Sequence, residues 1–118
     1  MTVKRIVANI ATERVEGSRH RSPSHPLGLH VAMDLGWIVT FSGNELAAPQ
    51  VSIATEGGSD TPVPDLSIEV DDLMEVHQRV VAAGLPIEYG PVDEPWGVRR
   101  FYVRDPFGRL LNILAHQS

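Results

Sequence analysis

The spacing of apolar and polar residues along this chain predicts strands over most of its length and a helix where the period changes. Residues 3–11, VKRIVANIA, are rich in β-branched side chains and run into the polar stretch Thr12–Gly17, which predicts a first strand. Two apolar runs, HVAMDL at 30–35 and WIVTFS at 37–42, flank Gly36, where a tight reversal makes a hairpin. QVSIAT at 50–55 predicts a third strand of this group, and the turn formers and prolines of 57–64 then separate two halves. In the second half, Leu66, Ile68 and Val70 alternate with Asp65, Ser67 and Glu69, a strand with one apolar and one polar face. Asp71 or Asp72 caps a helix in which Leu73, Val76, Val80 and Val81 share one side, and Gly84 followed by Pro86 ends it. A short strand near 86–90 precedes strands at 98–104 and 109–116, which are joined by a turn over Asp105–Gly108. If Glu16–Leu27 holds a helix, each half reads strand, helix and three strands, an internal duplication of a βαβββ module, with modules at about 1–58 and 62–118 of a single domain.

Composition narrows the chemistry. A length of 118 residues with 42% hydrophobic content supplies one packed core. The absence of cysteine excludes disulfides, thiolate metal sites and cysteine nucleophiles, and fits a cytoplasmic protein. A net charge of −5 argues against nucleic acid, whose binding draws on clustered Lys and Arg. The apolar runs are far shorter than the roughly 20 residues of a membrane span, and the stretch at 6–11 is too short for a signal-peptide core. No GxSxG or GxxxxGK motif occurs.

The strand VRRFYVR running into DPFG and then RLLNIL (98–114), with DLSIEVDDLMEVHQRVVAAGLPI before it (65–87), resembles the glyoxalase, bleomycin-resistance and extradiol-dioxygenase superfamily, also called vicinal oxygen chelate, over nearly the whole chain. The resemblance implies an α+β fold in which two βαβββ modules form a curved, eight-stranded mixed sheet. The concave side of that cup holds a small-molecule pocket, commonly completed in a homodimer. One departure lies at 18–29, SRHRSPSHPLGL, where Ser22 and Pro23 replace an aromatic pair and Pro23 and Pro26 disfavour helix. A short, broken or rearranged segment at 16–27 is expected.

In metal-using relatives four inward side chains hold one divalent ion. Carried onto this sequence, those positions fall on Ala8 (or Asn9 with a one-residue slip), on Gln50 or Ser52, on Asp65 and on Asn112, a set with one carboxylate and no imidazole. The expected protein is therefore a metal-free, non-catalytic binder of small molecules. The alternative is a lyase, isomerase or dioxygenase that uses Mn, Fe, Ni or Zn, or a carboxylate base, and whether it is an enzyme stays open. Asp65 and Glu69 are the candidate bases. Ala8, Trp37, Gln50, Ser52, Ser67, Trp96, Arg99, Phe101 and Asn112 are the candidate pocket residues, with Tyr102 a further possibility. Arg99 and Arg100 must face opposite ways, and one of them can grip an anion. Of the five histidines, His20, His25 and His30 cluster near the irregular segment, His77 is expected exposed on the helix, and His116 ends the last strand.

Overall fold

The computed structural model describes residues 2–13, 30–42 and 50–117. They form strands β1 (Val3–Ala11), β2 (His30–Asp34), β3 (Ile38–Ser42), β4 (Gln50–Ala54) and β5 (Leu66–Val70), helix α1 (Leu73–Ala82), and strands β6 (Ile87–Asp93), β7 (Val98–Arg104) and β8 (Leu110–His116). The eight strands are hydrogen-bonded in the order β2-β3-β4-β1-β5-β8-β7-β6, a mixed sheet. The helix expected over Glu16–Leu27, and the departures from the family pattern within it, lie outside the described residues.

The chain divides into two compact units, Val7–Val63 and Pro64–Ser118 with Met1–Ile6. β1 thus contributes its first residues to the C-terminal unit, a placement the sequence repeat does not suggest. In the N-terminal unit β2 and β3 are antiparallel, β3 and β4 are antiparallel, and β4 runs parallel to β1. The C-terminal unit repeats the scheme: β6 and β7 antiparallel, β7 and β8 antiparallel, β8 parallel to β5. Gly36 turns the β2–β3 hairpin at φ +90°, and the Asp34 carboxylate accepts its backbone N–H at 2.9 Å.

The N-terminal unit packs Val39 and Phe41 against Val31, Val51 and Ile53. In the C-terminal unit Val70, Leu73, Phe101, Val103 and Ile113 form the buried cluster, with Ile68, Val76, Val80, Leu111 and Ala115 packed on it. The odd residues of β7 and β8 therefore meet α1, and period-two alternation sends the even ones to the other face. Asp72 is the N-cap of α1, accepting from Glu75 N–H at 3.1 Å, and Arg79 donates to Glu75 at 2.8 Å one turn along. Val81 departs from expectation, being 54% exposed. Leu73, Val76 and Val80 follow an i, i+3, i+7 stripe, and the 100° step from Val80 carries Val81 past its edge.

β6 is longer than the sequence pattern suggests and is irregular, its register shifting between Tyr89 and Val92. Gly90 sits in that irregularity at φ +78°, and a Cβ there would lie 2.5 Å from the carbonyl oxygen of Arg100. The bulge thus brings backbone hard against the middle of β7. At the DPFG turn, Asp105 accepts from Phe107 N–H at 2.9 Å and Arg109 N–H at 2.8 Å, which fixes the reversal between β7 and β8.

Candidate ligand-binding face

In the C-terminal unit the face turned away from α1 carries the chemistry. Register aligns Ser67 with Asn112, Asn112 with Tyr102 and Tyr102 with Tyr89, so one polar row crosses four strands. The next row aligns Glu69 with Leu114, Leu114 with Arg100 and Arg100 with Val92. Leu110 and Leu114, both buried, flank Asn112 along β8.

Asn112 is 7% exposed and donates from Nδ2 to Ser67 Oγ at 3.1 Å. Its Oδ1 is buried and has no hydrogen-bond partner among the described residues. An unpaired buried acceptor costs about 1–3 kcal/mol, which a donor arriving from a ligand recovers.

Arg100, not Arg99, is the buried member of the pair. It is 2% exposed, its Nε and NH2 each lie 2.6 Å from Glu94 Oε2, and its NH1 donates to the Tyr102 hydroxyl at 2.9 Å. Tyr89 donates to the same Glu94 oxygen at 3.0 Å. The rings of Tyr89, Trp96 and Tyr102 surround the guanidinium at 5.4, 5.0 and 4.9 Å from their centroids, so the cation is paired and stacked at once. Arg99 faces the other way and pairs with Asp93 at 2.6 Å, largely in solvent. At the edge of the row, Arg5 contacts Glu69 at 3.1 Å and His116 Nε2 at 3.2 Å, and His116 lies 3.8 Å from the other Glu69 oxygen.

The sequence candidates scatter on this frame. Ser67, Asn112, Glu69 and Tyr102 share the face, and Trp96 covers Arg100 from the β6–β7 turn. Phe101 is instead fully buried beneath α1, where the ring of His77 meets it edge-on at 5.1 Å. That contact also corrects the expectation that His77 is exposed, since it is half-buried. Asp65 precedes β5, and its carboxylate accepts from Leu110 N–H at 2.9 Å and stands 4.0 Å from Arg109. Register therefore puts Ser67, not Asp65, beside Asn112. In the N-terminal unit the register pairs Asn9 with Ser52, while Ala8, exposed, lies on the face of Val51 and Ile53. Ser52 is buried and hydrogen-bonded to Thr40 at 2.7 Å, and Gln50, two residues earlier on the same face, has a buried Oε1 with no partner among the described residues. Trp37 is half-buried in the β2–β3 turn, where its carbonyl accepts from Thr55 N–H at 2.9 Å. His20 and His25, and the side chain of His30, lie outside the described residues.

Sequence reasoning missed Glu94, Tyr89 and Arg5. The signal for the first two was present: an arginine inside the apolar run VRRFYV must be buried on one face, and a buried guanidinium requires a nearby acid.

A model of the Glyoxalase/Bleomycin resistance protein/Dioxygenase superfamily matches residues 27–113. The chain belongs to that superfamily. No curated protein matched the sequence. Among solved structures, a glyoxalase/bleomycin resistance protein/dioxygenase superfamily member from Vibrio splendidus is 18% identical, with a TM-score of 0.60 and coverage of 98% of this chain and 99% of that one. Methylmalonyl-CoA epimerase from Mycobacterium tuberculosis is 13% identical, with a TM-score of 0.63 and coverage of 98% and 88%. An NAD-dependent benzaldehyde dehydrogenase from Legionella pneumophila is 14% identical, with a TM-score of 0.72 and coverage of 96% and 100%. At such identities the likeness is one of fold.

Superfamily membership raises the question of a divalent ion, and among the described residues the donors at the positions carried over from the family do not fit one. On the β5–β8 pair they are a hydroxyl and an amide already bonded to each other, and on β4 a hydroxyl bonded to Thr40 and a neutral amide. A hard divalent cation is held chiefly by charged or strongly donating ligands, and neither set supplies one.

Three surface carboxylates are held below their ordinary range: Asp71 by the backbone N–H of Thr2, Glu88 by Arg104 and Asp93 by Arg99. A depressed folded-state value means that the stabilisation is complete above the ordinary carboxylate range and is lost as pH falls through the folded value. Denaturation midpoints are expected to hold near neutrality and drop below about pH 4, and the drop should be shallower in Glu88→Gln and Asp93→Asn. An identical acid limb in both variants would remove these pairs from the account.

Proposed function

We propose that this superfamily member is a small-molecule-binding protein that works without a metal and without catalysis, and that its ligand contacts the Ser67–Asn112–Tyr102 row. The observation that carries this reading is the buried Asn112 Oδ1, an acceptor with no partner among the described residues in a row whose other polar groups are hydrogen-bonded. A carboxylate at that position would hold a divalent ion far better than a neutral amide does; an amide suits recognition. Glu69 faces the same side, but one of its oxygens is paired with Arg5 at 3.1 Å, which supports binding over base chemistry. The family resemblance further supports a homodimer, and the absence of cysteine a cytoplasmic one.

The test is elemental analysis after incubation with Mn, Fe, Ni or Zn and desalting, combined with thermal melts in each ion. No retained ion and no rise in melting temperature are expected. Retention of about one ion per chain with a matching thermal shift would overturn the metal-free reading.

A further inference from the structure

We infer that the Ser67–Asn112–Tyr102 face selects uncharged ligands that bear a hydrogen-bond donor on an apolar body, and discriminates against anions. This rests on the small-molecule reading above and names its ligand class.

Two independent observations point the same way. The first is charge. Three arginines stand on the side of β1 and β7 turned away from α1, and each meets a carboxylate: Arg5 with Glu69 at 3.1 Å, Arg100 with Glu94 at 2.6 Å and Arg104 with Glu88 at 2.7 Å. A carboxylate or phosphate would meet guanidinium groups whose charge is already offset by a carboxylate within 3.1 Å, and Arg100 is the hardest to reach, being boxed by Tyr89, Trp96 and Tyr102. A cation likewise finds these carboxylates already occupied. The second is hydrogen-bond polarity. Asn112 uses one of its two amide N–H groups on Ser67, and the atom left buried without a partner among the described residues is its carbonyl oxygen, which can only accept. The complementary group is an N–H or O–H. Leu110 and Leu114, both buried, flank Asn112 and make its surroundings apolar, which suits an apolar body beside the donor.

Four probes of one shape separate the possibilities: benzamide, benzoate, benzylammonium and toluene, titrated against uniformly 15N-labelled protein. Benzamide should shift the amide resonances of Ser67, Tyr102 and Asn112 and saturate about tenfold lower than benzoate or toluene, the factor that one hydrogen bond to a buried group is worth. Asn112→Leu should erase the advantage of benzamide over toluene. Asn112→Asp should move the preference to benzylammonium, since it places an unpaired carboxylate at the same point. Benzoate binding as tightly as benzamide, or an advantage that survives in Asn112→Leu, overturns the inference while leaving a small-molecule site. If none of the four shifts this face, the site reading itself fails. The wild-type ranking decides the matter even if a variant does not fold.

Discussion

Glu94→Ala is expected to lower the stability of the protein by about 3–5 kcal/mol. Arg100 and Glu94 have side chains only 3% exposed, and one Glu94 oxygen meets Arg100 Nε, Arg100 NH2 and the Tyr89 hydroxyl. Removing the acid takes a contact-range counter-ion from a buried guanidinium, and the three rings around it offset only part of that cost. The double variant Glu94→Leu with Arg100→Met should recover most of the loss, because an apolar pair of similar volume carries no desolvation penalty. Urea denaturation of the two variants measures this directly. A loss under about 1 kcal/mol for Glu94→Ala would mean that water reaches the pair.

Phe101→Ala is expected to cost about 3–5 kcal/mol by a different route. The ring is completely buried between β7 and α1 among Val70, Leu73, Val103 and Ile113, and its removal opens a cavity that the flanking strands cannot close. His77 supplies a local readout, because its ring sits edge-on to Phe101 at 5.1 Å and its proton resonances should move when the aromatic neighbour goes. Val81→Ala, on the exposed edge of the same helix, should change stability by less than about 0.5 kcal/mol. A comparable loss at both positions would place the core elsewhere.

These two sites also show which parts of the molecule were legible in the sequence. Strand alternation in 65–70 and 109–116, a helix cap at Asp71 or Asp72 and the DPFG turn are local signals, and the elements they specify form within a residue or two of the expected bounds. The periodicity in β5 and β8 also sorts Ser67 and Asn112 from Leu66, Ile68 and Ile113. Register is not local. Ala8 and Asn9 differ by one residue, and only the parallel pairing with β4 shows that Asn9 shares the face of Ser52. Asp65 was the likelier ligand by chemistry, yet it falls before β5, where it caps the start of β8 through Leu110. Phe101 looked like a pocket aromatic, but adjacent strand residues face opposite sides, so burying Arg100 with Tyr102 commits Phe101 to the helix. Side-chain type alone could not rank Arg99 against Arg100; the hairpin geometry does, aligning Asp93 with Arg99 and leaving Glu94 for Arg100.

The contact-range cancellation of Arg5, Arg100 and Arg104 by Glu69, Glu94 and Glu88 has a consequence for how a ligand arrives. Opposite charges held about 3 Å apart project little potential into the solvent, so these three pairs add little to the field that the net charge of −5 sets up. An uncharged molecule approaching this face is neither drawn in nor repelled. Its association should be as fast and its complex as tight at 0.01 M salt, where the Debye length is about 30 Å, as at 1 M, where it is about 3 Å, and the encounter is left to diffusion and shape.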